Sequence, residues 1–387
     1  MSGTPSTATR SRAPCADHDA PSTDASKPSA DTALPGAPGP APTAAAAPAP
    51  SDLHVRLRRE AAAFQGPILH RSLCQIATSF GGFFASCAAM YALLEVSYAL
   101  ALLLAPVAAG FLVRIFIIQH DCGHGSFLPK RWANDALGRL CSLLTLTPYA
   151  NWRRQHAGHH GVWNDLDRRA NGVDIYSACL TVAEYRALEP RQRWWHRITR
   201  HPAVANLLLP PLVFLVLYRI PFDAPAGWRR ERRAVYVTDL ALLALVAGLG
   251  GTVGFGAVAA VQLPVMVLGA IIGVWLFSVQ HRFEDAWWAR HDRWHSADAA
   301  MHGSSFLRLP RPLQWFTGNI GFHHVHHLNP RVPNYRLQAC HARIAPWVTV
   351  PELSLSQGLR ATRYVLFDEA EARMVTFRQV AAMPQAG

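Results

Sequence analysis

The sequence predicts an all-α integral membrane protein: four transmembrane helices, further interfacial or re-entrant helices, and a helical cap on the cytosolic side. Three observations carry this. Half of the 387 residues are hydrophobic and only 16% are charged, whereas a soluble domain carries about a quarter charged residues. The apolar residues are gathered in long runs, and most of the nineteen histidines stand in the polar blocks beside them. The formal net charge is +12, with arginines flanking the apolar runs rather than forming one basic domain. That is the positive-inside pattern of a membrane protein and speaks against nucleic acid as a partner.

Residues 1–55 are rich in Ala, Pro, Ser and Thr. Such a segment cannot bury enough surface to offset the entropy of ordering, so a disordered tail is expected. It lacks the charged start and apolar core of a secretory signal, and Arg10 and Arg12 alone are few for a transit peptide. A membrane domain is expected over 56–350 and a C-terminal cytosolic tail over 351–387. Residues 76–118 are nearly continuously apolar, long enough at about 1.5 Å per residue to cross a bilayer twice. Glu95 and Ser97 mark the turn, and Arg114 is placed to snorkel near the end of the second span. A polar block rich in His, Trp and Arg follows over 120–202. Then comes a short apolar run, 203–218, containing Pro210 and Pro211 and followed by Arg229, Arg230, Arg232 and Arg233. Two more apolar runs occupy about 236–257 and 260–280, and the rest is polar.

Parity decides between topologies. Two histidine-rich blocks that share one site must lie on one side of the membrane, so an even number of crossings separates them. Three apolar runs lie between, and the short, proline-broken run at 203–218 is the one expected to lie in the interface or re-enter. This leaves four full spans, with both termini and all the histidine clusters in the cytoplasm. The seven cysteines, Cys15, Cys74, Cys87, Cys122, Cys141, Cys179 and Cys340, show no CxxC spacing and read as reduced thiols.

Three histidine clusters hold the chemistry: His120 with His124; His156 with His159 and His160; and His323 with His326 and His327. Residues at i, i+3 and i+4 share one helix face, so each cluster points one way, while His324 falls off its face. A single histidine is as readily a packed or solvated side chain. Three spaced clusters assignable to one membrane face can instead deliver eight imidazoles to one spot. Neutral imidazole suits Zn, Cu, Fe and Ni. Eight ligands exceed what one ion takes, and the near absence of thiolate disfavours structural zinc. A cytosolic cap carrying a two-metal, redox-active site, with iron as the metal, fits best.

At these residues the chain resembles the integral-membrane fatty acid desaturases. The clusters match that family's HxxxH, HxxHH and HxxHH boxes. HDCGHGSF at 120–127, VQHRFEDAWW at 279–288, GSS at 303–305 and WFTGNIGFHHVHHLNPRVPNY at 315–335 resemble its bacterial acyl-lipid branch, which acts at Δ5- or Δ12-type positions. The resemblance runs from about 65 to 350. It implies two iron ions held by the box histidines and one histidine outside them, for which His281 is the candidate. Asn319, four residues before His323, is a candidate to act through a metal-bound water, with helix capping as its other reading. Asp121, Asp174 and Glu284 are candidates to orient imidazole N–H groups, or are simply solvated acids. No catalytic side chain is expected beyond the metal centre, because acid–base groups cannot break an alkane C–H bond.

The resemblance further implies O2 as co-substrate, a fatty acyl lipid as substrate, with acyl-CoA or an acyl-carrier protein as the other carriers, and a multi-pass position in a bacterial inner membrane. The cytochrome b5 His-Pro-Gly-Gly motif, a ferredoxin-like cysteine set and a Gly-rich nucleotide fingerprint are all absent from the sequence. Electrons are therefore expected from a separate carrier, ferredoxin-like or similar. Arg153, Arg154, Arg168, Arg169, Arg191 and Arg193 offer it a basic docking surface, with lipid headgroups as the rival use. Hydroxylation or acetylenic-bond formation on the same scaffold remains the alternative outcome. A zinc hydrolase needs only about three histidines and an open position, and a channel would carry its polar groups at mid-membrane depth.

Overall fold

The computed structural model describes residues 51–169 and 179–384. The tail up to residue 50 and Asp174 lie outside the described residues. The chain enters through α1 (Asp52–Ala62), which starts inside the segment assigned to the tail because Ser51 caps it. The Ser51 hydroxyl accepts from the His54 amide, and His54 returns a bond to the Ser51 amide.

Two long apolar helices follow, α2 (Leu69–Leu94) and α3 (Tyr98–His124). The turn between them falls at Glu95–Ser97, as the sequence predicts. Their contact is close because small residues face large ones: a Cβ added to Gly82 of α2 would stand 2.2 Å from the Phe111 ring of α3. Ala101, Ala105, Ala108 and Ala109 line the buried side of α3. Gly125, at φ +70°, ends α3 in the left-handed conformation that favours glycine.

The polar block that follows is helical. It comprises α4 (Arg131–Thr145), α5 (Tyr149–Val162), a short strand β1 (Leu180–Thr181), α6 (Val182–Ala187) and α7 (Pro190–Thr199). The 203–218 run becomes a π-helical turn over Val204–Leu208 and then α8 (Leu209–Leu215). Together with α7 it is bent by 55°, so it is either a re-entrant element or one broken crossing. The remaining long apolar helices are α9 (Arg229–Val253) and α10 (Phe255–Val279), joined at Gly254 with φ +88°.

Four helices, α2, α3, α9 and α10, are thus long and apolar enough to span a membrane. Large apolar side chains such as Phe84, Leu103, Leu240, Leu243 and Phe255 are exposed on them, as a lipid-facing surface requires. The helices pack in the order α2–α3–α10–α9. Arg114 departs from the snorkelling expected of it. It is buried, its guanidinium lies 4.0 Å from the Trp315 ring centroid, and it donates to the Trp315 carbonyl.

Beyond α10 the cap is assembled from short elements: α11 (Ser296–His302), β2 (Phe306–Arg308), α12 (Arg311–Phe316), α13 (His323–Leu328) and α14 (Leu337–Ile344). The segment assigned to a C-terminal tail is folded here. β3 (Glu352–Ser354) pairs in parallel with β2, and α15 (Leu355–Ala361) follows. β4 (Leu366–Asp368) lies between β1, parallel, and β5 (Arg373–Val375), antiparallel. The last helix is α16 (Phe377–Ala382). These small sheets are the little β-structure in an otherwise helical molecule. Among the described residues the six cysteines are free thiols.

Candidate metal centre

α3 ends with His120 and His124, α5 carries His156, His159 and His160, and α13 carries His323, His326 and His327. His281 comes just after α10, where the helix gives way to a loop. The folding of α2, α3, α9 and α10 brings these four places together. The imidazoles form two adjacent groups. In the first, His120, His124, His156, His160 and His326 present ring nitrogens all within 4.8 Å of one another. Nε2–Nε2 separations are 3.0 Å for His124–His156, 3.2 Å for His156–His160 and 2.9 Å for His160–His326. In the second, His281 Nε2 lies 3.1 Å from His159, 2.9 Å from His323 and 3.2 Å from His327. His327 and His323 are 3.1 Å apart. The groups touch where the His160 and His327 rings stack at 4.3 Å.

These separations carry chemical information. Two nitrogens each about 2.1 Å from one ion are about 3.0 Å apart at a right angle and about 3.4 Å apart at the tetrahedral angle. The observed spacings lie in this range, so the imidazole nitrogens of each group are close enough to share an ion. Burial, reinforced by the neighbouring imidazoles, holds His156, His160, His281, His323, His326 and His327 well below the ordinary imidazole range. They stay neutral, with lone pairs available to a cation.

All nine histidines named from sequence are therefore brought together, and the off-face His324 is not. Its Nε2 faces His341 Nδ1 at 2.9 Å, and burial pushes it down to about 3. The surrounding polar candidates divide. Asp121 supports the site: one oxygen lies 3.2 Å from His120 Nδ1, and the other accepts from the Asn334 amide and side chain. Asn334, missed from sequence, is found only through this fold contact.

Asn319 does not sit over the histidines as its spacing suggested. α13 begins at His323, so the i to i+4 relation fails. Asn319 occupies a left-handed turn, φ +58°, and its amide meets Gln314 and the Asn334 carbonyl. Glu284 is likewise corrected: it accepts from Tyr364 and Arg373 and ties down the C-terminal strands. Trp163 and Trp288 are buried, and Trp163 packs on His281 at 3.9 Å. Trp152 stacks on His156, whereas Trp194 and Trp195 are exposed as anchors should be. Four of the six arginines assigned to a docking face pair with the chain's own acids: Arg153 with Asp135, Arg154 with Glu231, Arg168 with Asp165 and Arg169 with Glu184.

A cavity lined by residues of α3 and α10 lies beside these histidines. Its walls include Leu112, Phe116, Phe214 and Met266, and its inner end is formed by His120, His156, His159 and His323. Gly273 also lines it, with open space where a side chain would stand.

Fold and site together define a membrane protein whose apolar cavity ends on an imidazole-lined centre able to hold two metal ions. The family model for fatty acid desaturases matches residues 97–357. A "Fatty acid desaturase" of Bacillus subtilis is 42% identical over 329 residues, 85% of this chain and 92% of that protein. This chain belongs to the fatty acid desaturase family, and is by that membership an oxidoreductase. An "sn-1 oleoyl-lipid 12-desaturase" of Picosynechococcus is 27% identical over 60% of this chain and 65% of its own length. An "sn-1 acyl-lipid omega-3 desaturase (ferredoxin)" of Synechocystis is 27% identical over 60% and 64%.

Proposed function

We propose that this protein inserts a cis double bond into the acyl chain of a membrane lipid, at the expense of O2, using two iron ions. The reading places one ion among His120, His124, His156, His160 and His326, and the other among His159, His281, His323 and His327. The observation that carries it is the cavity: one mainly apolar space is lined both by Leu112, Phe116, Phe214 and Met266 and by four of these histidines. Bound iron would supply the oxidising chemistry that two unactivated C–H bonds require.

The chain's own residues do the rest. Leu112, Phe116, Phe214 and Met266 bind the methylenes and exclude water, so the acyl chain is held by shape, and the carbons beside the histidines are chosen by how far it reaches. Asp121 holds the proton of His120 on Nδ1 and so turns the Nε2 lone pair toward the centre. Trp152 and Trp163 pin the rings of His156 and His281. Electrons come from a separate carrier, for which the name of the Synechocystis relative points to a ferredoxin. Parity gives four crossings, with α7 and α8 lying at the interface and the histidines cytoplasmic, in a bacterial inner membrane.

The test is fatty acid analysis of a host expressing the chain. A new alkene is expected with the native chain, and none with His159→Ala at equal membrane abundance. An alcohol or an alkyne in place of the alkene would refute desaturation. Metal analysis of the purified protein is expected to find about two iron per chain; a single zinc per chain would refute the reading.

A further inference from the structure

A second pocket opens on another side of α3 from the acyl cavity. It is bounded by Arg114, Arg311, Gln314, Trp315, Asn319 and Gln338, and none of its lining residues is acidic. Arg114 is the unusual member. It is more than nine-tenths buried, yet among the described residues its cation meets the Trp315 ring and the Trp315 carbonyl, and its buried Nε has no hydrogen-bond partner there. Among the described residues no carboxylate pairs with it. A buried charge is costly unless it is paired, and a guanidinium with free N–H groups suits a phosphate. Arg311 adds a second, exposed cation at the same opening.

The depth of the pocket fits the bilayer surface. Arg114 lies about 24 Å along α3 from Tyr98, near the end of a hydrocarbon core about 30 Å thick. Leu313 and Trp315 on α12 are exposed beside it, an apolar and aromatic rim of the kind found at the headgroup level.

We propose that this pocket binds a phosphate group, held by Arg114 and Arg311, as presented by a phospholipid headgroup or as the free ion. The site is distinct from the acyl cavity. Its occupant would lie against the Gln314–Asn319 contact that leads the chain into α13.

The experiment titrates the purified full-length protein in a non-ionic detergent, read by native mass spectrometry. The probes are dioleoylphosphatidylglycerol, dioleoylglycerol (the same chains without phosphate) and inorganic phosphate. Native protein is expected to bind the phosphatidylglycerol at least tenfold tighter than dioleoylglycerol. Arg114→Gln and Arg311→Gln should each remove most of that preference. Inorganic phosphate bound with the same dependence on the two arginines would also support the site and identify the free ion as sufficient. Should Arg114→Gln fail to fold, Arg311→Gln alone decides, because Arg311 is exposed. Equal binding of the two lipids, or a preference unchanged by Arg311→Gln, overturns the proposal.

Discussion

Asp121 shows how much a single buried carboxylate can organise. One oxygen faces His120 Nδ1 and the other takes two N–H groups of Asn334, so it ties the first histidine cluster to the segment just after the third. Replacing such a partner costs about 10- to 100-fold in metal affinity. Asp121→Ala is therefore expected to lower iron content after dialysis against a weak chelator, while the protein still reaches the membrane. Unchanged iron retention would show that Asp121 does not orient His120. His196 offers a separate test through pH. It packs against Tyr185 and Phe377 with a buried Nε2, and burial, then Arg200 and Arg282, push it down to about 4. The unfolded imidazole takes up its proton as pH falls through about 6.5, whereas the folded one resists until about 4. Stability contributed by neutral His196 is thus present above pH 6.5 and lost progressively on the way down to 4. His196→Leu should flatten that part of the pH profile of the thermal unfolding midpoint. An unchanged slope would mean the titration lies elsewhere.

At the scale of elements, glycines separate packing from function. Gly82 faces the Phe111 ring where α2 meets α3, and an added Cβ would stand 2.2 Å from it; the neighbouring Gly81 has nothing within 4 Å. Gly82→Ala is expected to destabilise by about 1–3 kcal/mol through overpacking, and Gly81→Ala to leave stability the same or higher, since alanine is the better helix former. Thermal unfolding in detergent reads both, and equal midpoints would mean that α2 and α3 are not packed this closely. Gly273 on α10 is the converse case: it faces the cavity with open space before it. Gly273→Leu is expected to leave folding intact and shift the product profile toward shorter chains or a moved double bond, read by gas chromatography of host lipids. An identical profile would exclude this stretch of cavity from the acyl path. The elements themselves were largely legible. The spans, the turn at Glu95–Ser97 and the interruption at 203–218 follow from hydropathy and proline. The C-terminal strands were not, because β3, β4 and β5 are three residues each and exist only through pairing, β3 with β2, β4 with β1 and β5 with β4.

For the whole molecule, eight of the nine ligand candidates could be named from local spacing and His281 from the family resemblance, whereas their partition could not. On a helix of about 3.6 residues per turn, positions i and i+4 differ by about 40°, and i+3 lies about 60° to the other side. Each HxxHH box is accordingly split between centres. His156 and His160 join the first group while His159 turns to the second, and His323 and His327 join the second while His326 turns to the first. Sequence alone determined the membrane class, the histidine boxes and the family, because hydropathy, helical periodicity and short motifs are local properties of a chain. Only the tertiary structure decided how the imidazoles are grouped, that Asn319 and Glu284 meet loop and strand residues, and that Arg114 is buried with no carboxylate beside it among the described residues. Those depend on residues hundreds of positions apart meeting in space, and no local pattern encodes such a meeting.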